Sequence, residues 1–275
     1  MLSENKNGCA CHRQRSYIKN SVKVSIITSA YNSEGTIEDT IKSVVNQTYR
    51  DIEYIIIDGG STDRTPEILR QYEDEISICV SEPDNGIYHA LNKGIRLSTG
   101  DIIGFLHADD FYENDNVIET VVSRMKEHDV DSCYGDLLYV NKKNTEKIIR
   151  FWKSCPYTEG LFQKGWMPPH PTFFVRKEVY REYGDFNTAF KIAADYELML
   201  RFLEKNKIST HYIPEVLIKM RTGGASNRSL KNIVLKTTED YMAWKVNDLD
   251  GPFYTIPLKN LSKIPQFFKR YLNVA

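Results

Sequence analysis

The sequence has no apolar run close to the roughly 20 residues that span a bilayer. Its first residues lack the apolar stretch of a secretory signal, which predicts a cytoplasmic protein. Cysteine is scarce, with five scattered residues in 275. This odd number favours a reducing compartment over a disulfide framework. Cys9 and Cys11 lie beside His12 but have no second ligand pair for zinc, so a reduced tail is the preferred interpretation.

The chain also lacks an excess of either charge, with 36 Lys and Arg against 37 Asp and Glu. This balance argues against a nucleic-acid-binding protein. The charge is unevenly distributed, however. Residues 1–23 contain five bases and one acid, and residues 251–275 contain four bases and no acid. The remaining segment, residues 24–250, therefore has a formal net charge of −9. With 41% hydrophobic residues, this acidic body is large enough to bury a core.

Two common glycine-rich phosphate cradles are missing. The first predicted strand is not followed by GxGxxG, and the chain contains no GxxxxGK[ST]. These absences argue against a dinucleotide-dependent dehydrogenase and a P-loop enzyme. A nucleoside diphosphate would need another means of charge neutralisation, and clustered carboxylates suggest a divalent cation.

What the sequence does contain is an alternation of short β-branched runs with segments of helical period. It predicts strands over 23–29, 52–58, 76–80 and 102–106 with helices between them, which is typical of βαβ units and a parallel sheet. Further along, the pattern predicts antiparallel strands over 131–140 and 147–152, a strand over 172–175 and a helix over 193–204. We therefore expect one α/β domain with a C-terminal helical extension.

Polar residues follow each of the four predicted parallel strands. The runs are Thr28–Asn32, Asp58–Asp63, Glu82–Gly86 and His107–Asp110. Each alone can be an ordinary turn. Ligands of open α/β sheets gather beyond the carboxyl ends of the strands, so four such runs at one edge favour a binding site. Asp109 and Asp110 supply the oxygen ligands that Mn²⁺ or Mg²⁺ prefers.

These segments resemble a known family. VSIITSAYNSEGTIEDTIKSVVNQTYRDIEYIIIDGGSTDRT, SEPDNGIYHALNKGI and GDIIGFLHADD resemble the nucleotide-sugar domain of family 2 glycosyltransferases. HPTFFVRKEVYREYGDFNTAFKIAADYELMLRFL resembles the acceptor half of the same family. The resemblance implies inverting transfer of a sugar from a nucleotide-diphospho-sugar to an acceptor hydroxyl.

The resemblance also implies an architecture. The expected fold is GT-A, with a Rossmann-like, mostly parallel sheet flanked by helices. We predict a flexible tail over 1–21, a GT-A domain over 22–228 and a C-terminal helical extension over 229–275. Within the GT-A domain, residues 22–112 form the donor half and residues 113–228 the acceptor half.

Residue by residue, the resemblance assigns Asp195 as the catalytic base and Asp109 as the metal-binding aspartate of a DXD motif. His107 stands where the first aspartate of that motif is expected, and an imidazole can still hydrogen-bond or ligate. Ala30, Tyr31 and Asp58 are implied to line the base pocket. The full predicted donor set is Thr28, Ala30, Tyr31, Asn32, Asp58, Asp84, Asn85, Lys93, His107, Ala108 and Arg221.

Several assignments have alternatives that the sequence leaves open. His170 either joins Asp109 at the metal or the phosphates, or is a loop histidine packed beside Trp166. Lys93 either contacts the diphosphate or is a solvent-exposed residue on the face of a helix. Arg221 is a phosphate clamp in a loop that closes over the donor, or part of a linker. Asp195 can also be a helix N-terminal acid favoured by the macrodipole.

The chain lacks the QxxRW motif and the membrane helices of the family's processive synthases, so we expect transfer of a single sugar. The expected acceptor is a glycan or a lipid-linked glycan of surface polysaccharide synthesis. Apolar residues from Leu258 to Leu272 recur among bases. They either place the protein peripherally on the anionic inner face of the membrane or pack on the domain.

Two other functions are alternatives to glycosyl transfer. A sugar nucleotidyltransferase needs a glycine-rich basic loop, which SAYNSEG is not. A non-catalytic sugar-nucleotide-binding or scaffold subunit stays open because of His107.

Overall fold

The computed structural model describes residues 21–223, 230–251, 254–261 and 266. Residues 1–20 of the predicted tail, residues 224–229 and the apolar and basic positions after Leu261 lie outside the described residues. Within the described ranges, Cys79 and Cys133 are free thiols. No helix in those ranges is both long and apolar enough to cross a membrane.

One nine-stranded sheet organises the molecule. Its first half consists of four parallel strands in the order β3-β2-β1-β4. They are β1 (Val24–Ala30), β2 (Ile52–Asp58), β3 (Ile78–Ser81) and β4 (Ile102–Phe105). Each lies within about two residues of the predicted strand, because isoleucine and valine runs favour buried parallel strands.

The second half of the sheet is mixed. It continues from β4 in the order β8-β6-β9-β5, with β7 paired to β6. The predicted antiparallel pairing of β6 and β7 is confirmed. The strands are β5 (Asp110–Tyr112), β6 (Ser132–Val140), β7 (Ile148–Trp152), β8 (Phe174–Arg176) and β9 (Thr210–Arg221). The 12-residue β9 has no counterpart in the predicted elements.

Helices cover both faces of the sheet, so the predicted α/β class is confirmed. One core contains residues of α1, α2 and α4, and the other residues of α3, α5, α6 and α7. The helices are α1 (Ile37–Val45), α2 (Thr65–Gln71), α3 (Ile87–Leu97), α4 (Val117–Glu127), α5 (Lys177–Tyr183), α6 (Ala194–Met199), α7 (Leu230–Val246) and α8 (Thr255–Leu261). The predicted helix over 193–204 is α6 followed by a π-helical turn, Leu200–Lys205.

The C-terminal helices are joined to α6 by buried polar contacts. Trp244 of α7 donates its indole N–H to the Tyr196 hydroxyl at 2.9 Å. Lys259 of α8 pairs with Asp240 at 2.7 Å, and its ammonium lies 3.2 Å from the centre of the Tyr196 ring. Lys259 is therefore buried in the protein and cannot contact a membrane from this position.

A buried carboxylate joins β2 to the neighbouring strand and loop. Glu53 accepts hydrogen bonds from the Ser25 hydroxyl at 2.6 Å, the Thr99 N–H at 2.6 Å and the Thr99 hydroxyl at 2.5 Å, and it pairs with Lys23 at 3.1 Å. Burial alone would raise the pKa of Glu53, but these donors outweigh it and lower the pKa to about 2.

Glu53 should therefore stabilise the fold in a pH-dependent way. Its pKa is lowered on folding, so its contribution is complete above pH 4.5, the ordinary value, and is lost as the pH falls towards 2. The contribution is on the order of 3 kcal/mol near neutral pH. We expect the difference in unfolding free energy between the wild type and Glu53→Gln to shrink over that range in urea titrations. Glu67→Gln, at an exposed position, is the control; an equal pH trend there would contradict the prediction.

Candidate active site

The carboxyl ends of the four parallel strands meet at one edge, as predicted. Ala30, Asp58 and Ser81 lie side by side in register on β1, β2 and β3. The Gly59 N–H donates to the Ala30 carbonyl at 2.9 Å, and the Ala108 N–H reaches the Ser29 carbonyl at 3.3 Å. Parallel pairing thus gathers loops that are far apart in the sequence into one site.

The space beside Gly59 lies next to Tyr31 and Asp84, and we refer to it below as the pocket. A Cβ atom on Gly59 would lie 3.5 Å from Asp84 Oδ2 and 3.5 Å from Tyr31 Cδ2, so glycine keeps this space open. The Tyr31 ring is 64% exposed. Asp84 Oδ2 is buried and accepts no hydrogen bond from any residue the structure describes. The pocket therefore offers an exposed ring face and an unused acceptor.

Asp58 lies beneath this pocket. Its carboxylate is fully buried. It accepts hydrogen bonds from the Ser81 hydroxyl at 2.5 Å, from the Ser61 N–H at 3.2 Å and from the Ser61 hydroxyl. The predicted direct bond to a base N–H would thus require a serine to move.

Thr28 is a predicted donor contact that the structure does not bring to the site. Its side chain is fully buried, and its hydroxyl lies 3.2 Å from that of Tyr54. Side chains alternate along a strand, so Ser29 faces the other way and its hydroxyl lies 3.1 Å from His107 Nδ1. Ser29 was missed, although the two-residue period of β1 could have distinguished it from Thr28.

The remaining donor-loop residues mainly hold the loops together. Lys93 of α3 pairs with Glu82 at 2.7 Å and with Asp84 at 3.2 Å, so a diphosphate contact would require it to leave both acids. Asn32 adopts a left-handed backbone with φ 46°, and its side-chain oxygen accepts the Thr62 N–H at 2.9 Å. Asn85 is exposed next to Gly86.

Arg221 is the last residue of β9, and the prediction that it belongs to a mobile loop is wrong. It is 5% exposed. Its guanidinium pairs with Asp39, donates to the Asp109 carbonyl at 3.0 Å and stacks on the Phe111 ring at 4.8 Å. Antiparallel pairing of β9 with β5 brings it there. Arg221 therefore supports the turn that carries Asp109, rather than reaching over the donor.

The turn after β4 places a partly exposed and a buried acid side by side. Asp109 is partly exposed, whereas Asp110 is fully buried and neither of its carboxyl oxygens has a partner among the described residues. Burial, and next the charge of Asp109, raises the pKa of Asp110 well above its ordinary value. Burial lowers the pKa of His107, so its imidazole is neutral at pH 7. The turn thus presents one charged carboxylate and one neutral ring.

His170 lies against His107 rather than beside Trp166. Their ring centres are 5.9 Å apart, and His170 also packs on Phe105 and Phe186, each at 5.8 Å. Neither ring nitrogen of His170 has a hydrogen-bond partner within the described ranges. Burial lowers the pKa of His170 to about 4, so it is neutral at pH 7.

Asp195 occupies the first turn of α6 and is partly exposed. Burial is the main influence on the pKa of His107 and of His170, but the negative charge of Asp195 opposes it at both rings. The same charge, after burial, raises the pKa of Tyr88. The charge of Asp195 therefore acts on His107 after β4, although Asp195 lies in the opposite half of the chain.

The residues near Asp109 can be tested for their fit to a divalent cation. No group of three His, Cys, Asp or Glu side chains able to hold a metal by itself occurs in the part of the chain that the structure describes. The Asp109 carboxylate suits Mn²⁺ or Mg²⁺ once further oxygens complete the shell, and a donor diphosphate provides such oxygens, whereas Mg²⁺ does not favour an imidazole nitrogen. The set fits a cation that is bound together with the nucleotide.

The family of this chain follows from its similarity to known proteins. The model of glycosyl transferase family 2 matches residues 25–184. The chain belongs to this family. A PGL/p-HBAD biosynthesis glycosyltransferase of Mycobacterium tuberculosis is 28% identical over 217 residues, covering 77% of this chain and 82% of the relative. A second M. tuberculosis protein, called an uncharacterized glycosyltransferase, is 33% identical over 181 residues, covering 65% and 68%.

Solved structures show that this family 2 glycosyltransferase has the predicted GT-A fold. Residues 1–349 of Staphylococcus aureus TarS superpose with a TM-score of 0.64 at 19% identity, covering 86% of this chain and 69% of that one. The chain spans 42% of the longer TarS structure. The mannosyltransferase PcManGT of Pyrobaculum calidifontis, in complex with GDP-Man and Mn²⁺, gives a TM-score of 0.61 at 18% identity, covering 88% and 69%. The family and the similar relatives thus identify the protein as a glycosyltransferase.

Proposed function

We propose that the protein is an inverting, metal-dependent glycosyltransferase that moves one sugar from a nucleotide-diphospho-sugar to an acceptor hydroxyl. The observation that carries the proposal is the pairing of the His107 and His170 rings, 5.9 Å apart, next to Asp109 and within range of the charge of Asp195. A carboxylate on the acceptor side and a charged carboxylate at the strand edge thus share one site. This is the arrangement that a displacement at an anomeric carbon requires.

The proposed mechanism uses the two carboxylates for different tasks. Asp195 accepts the proton of the acceptor hydroxyl while the oxygen forms its bond to the anomeric carbon. The bond from that carbon to the diphosphate oxygen breaks on the opposite face, and its electron pair leaves with the nucleoside diphosphate. Asp109 would hold Mn²⁺ or Mg²⁺ with the diphosphate, with His170 or His107 as the nitrogen ligand. When bound, that cation neutralises the charge of the leaving group.

The nucleoside end of the donor fits the pocket of Tyr31 and Asp84. A base can stack on the exposed Tyr31 ring and donate an N–H to Asp84 Oδ2, which is buried without a partner among the described residues. An unpaired buried acceptor costs about 1–3 kcal/mol, which a ligand donor recovers. The titles of related structures name UDP-GlcNAc and GDP-Man as ligands, which supports a nucleotide-diphospho-sugar here.

We propose the boundaries predicted above, with a donor half over 22–112, an acceptor half over 113–228 and helices beyond 229. The proposed role is synthesis of a surface polysaccharide or related glycan in the cytoplasm, with a glycan or lipid-linked acceptor. A peripheral contact with the inner membrane face would use the exposed Leu258 and Leu261 of α8, since Lys259 is buried.

The membrane proposal predicts weaker binding to anionic vesicles after Leu258→Glu with Leu261→Glu. Both side chains are exposed, so the substitutions remove apolar surface and add repulsive charge. Unlike a deletion of α8, they keep the ion pair between Lys259 and Asp240. Co-sedimentation with anionic and with zwitterionic vesicles measures the effect. Ile148→Glu, at a comparably exposed apolar side chain on β7, is the control. Unchanged binding of the double variant would exclude α8 as the contact.

The function itself is tested by incubating the protein with a panel of nucleotide sugars and Mn²⁺ or Mg²⁺. We expect slow release of nucleoside diphosphate from at least one donor, and an inverted anomeric configuration in the product. Nucleotide binding without release from any donor would instead favour the non-catalytic subunit.

A further inference from the structure

The segment that leads into α6 is held by a carboxylate from a distant helix. Glu239 of α7 accepts three consecutive backbone N–H groups, from Lys191 at 2.8 Å, Ile192 at 2.9 Å and Ala193 at 2.8 Å. The side chain is 4% exposed. These are charge-assisted bonds to donors at a helix N-terminus, where anions are stabilised by the helix dipole.

The opposite side of the same segment is held by the donor half. The Tyr88 hydroxyl of α3 donates to the Ile192 carbonyl at 2.7 Å, and its ring stacks on Phe186 at 5.5 Å. Ile192 thus has its N–H bound to α7 and its carbonyl bound to α3. Asp195 follows three residues later, so both contacts act on the backbone that carries it.

We propose that Glu239 is a positioning residue for Asp195, which makes the C-terminal extension a structural part of the active site. This inference rests on the proposed role of Asp195 as the base. The physical reason is geometric: proton transfer requires the base within hydrogen-bond reach of the acceptor hydroxyl, and a displacement of about 1 Å can cost about 100-fold in rate. Three bonds from one rigid carboxylate restrict the backbone that sets this distance.

The contact differs from an ordinary helix–helix bond. Glu239 is a buried acid whose three contacts are all with backbone groups preceding α6, rather than with the body of α6. Losing it would leave three N–H donors to find other partners. Asn247 offers a matched comparison, because it is buried directly after the same helix and donates to Glu197 further along α6 at 3.1 Å.

The test compares Glu239→Gln, Glu239→Asp and Asn247→Ala by steady-state kinetics and thermal unfolding. Glutamine keeps the size of the side chain but replaces one carboxylate oxygen by an NH₂ group. That group donates hydrogen bonds, so it would repel the backbone N–H that the oxygen had accepted. We expect Glu239→Gln to lower kcat by about 10- to 100-fold with the donor KM within about twofold of the wild type. Glu239→Asp retains the charge and should retain more activity than Glu239→Gln, and it is the decisive variant if glutamine prevents folding. Asn247→Ala should lower the Tm but not kcat.

Two outcomes would overturn the proposal. One is a kcat for Glu239→Gln and Glu239→Asp close to the wild-type value. The other is a loss of kcat that Asn247→Ala matches at an equal loss of Tm. Failure of the underlying function is recognised separately: if Asp195→Asn keeps full turnover, the base assignment is wrong. In the Asp195→Asn background, Glu239→Gln should have little further effect on residual turnover, because the group it positions is gone.

Discussion

Replacing Asp195 by asparagine is expected to lower kcat for sugar transfer by about 10²- to 10⁴-fold, the usual contribution of a positioned general base. Asparagine keeps the size and hydrogen-bonding shape of the side chain but cannot accept the proton of the acceptor hydroxyl. Donor binding should stay within about twofold, because Asp195 acts on the acceptor side. A fall in kcat without a rise in the donor KM is therefore the expected pattern.

The measurement is release of nucleoside diphosphate with saturating acceptor, paired with calorimetric titration of the nucleotide. Asp248→Asn is the matched control, because its side chain is 88% exposed and pairs with a surface lysine, Lys205, at 3.2 Å. Its kcat should equal that of the wild type. Undiminished turnover by Asp195→Asn would rule out its role as the base.

The second large effect is expected for Asp109→Asn. Asp109 is the charged carboxylate of the turn, since its neighbour Asp110 is buried and its pKa is raised well above the ordinary value by burial and by Asp109. Removing that charge should weaken metal-dependent binding of the nucleoside diphosphate at least about tenfold, because a divalent cation loses its ionic protein ligand. Binding measured in the presence of a chelator should change little.

Nucleotide titrations at several Mn²⁺ and Mg²⁺ concentrations separate metal-dependent from metal-independent nucleotide binding. Asp115→Asn, at an exposed acid a few residues away, is the control and should reproduce the wild-type curve. A metal titration of Asp109→Asn that overlays the wild type would show that the cation is held elsewhere.

Much of the donor half could be predicted from the sequence because its signals are local. The run Tyr54–Ile57 of β2 is apolar along both faces, and the polar loop follows at the strand end. Parallel pairing then places Ala30, Asp58 and Ser81 in one row without further information. The second half was harder, because β9 pairs in parallel with β6 and antiparallel with β5, and such long-range partners leave no periodic signal.

The errors in the candidate site have the same origin. Arg221 was assigned to a loop by the glycines that follow it, but its pairing with Asp39, far away in the sequence, keeps it buried under the Asp109 turn. Thr28 was included with its neighbours, although strand alternation turns it into the core beside Tyr54. No sequence motif marks Glu239. Its partners are backbone N–H groups, which nearly every residue has, so the sequence gives no sign of the contact.

By itself, the sequence determined the α/β class, the strands of the donor half and the residues that follow them. Those depend on hydrophobic periodicity and turn chemistry, which neighbouring residues express directly. The folded structure is needed to show which groups lie close together: His107 with His170, Arg221 with Asp39, and Glu239 with the backbone before α6. Such contacts depend on strand order and helix packing over long sequence separations, and these are properties of the folded chain as a whole.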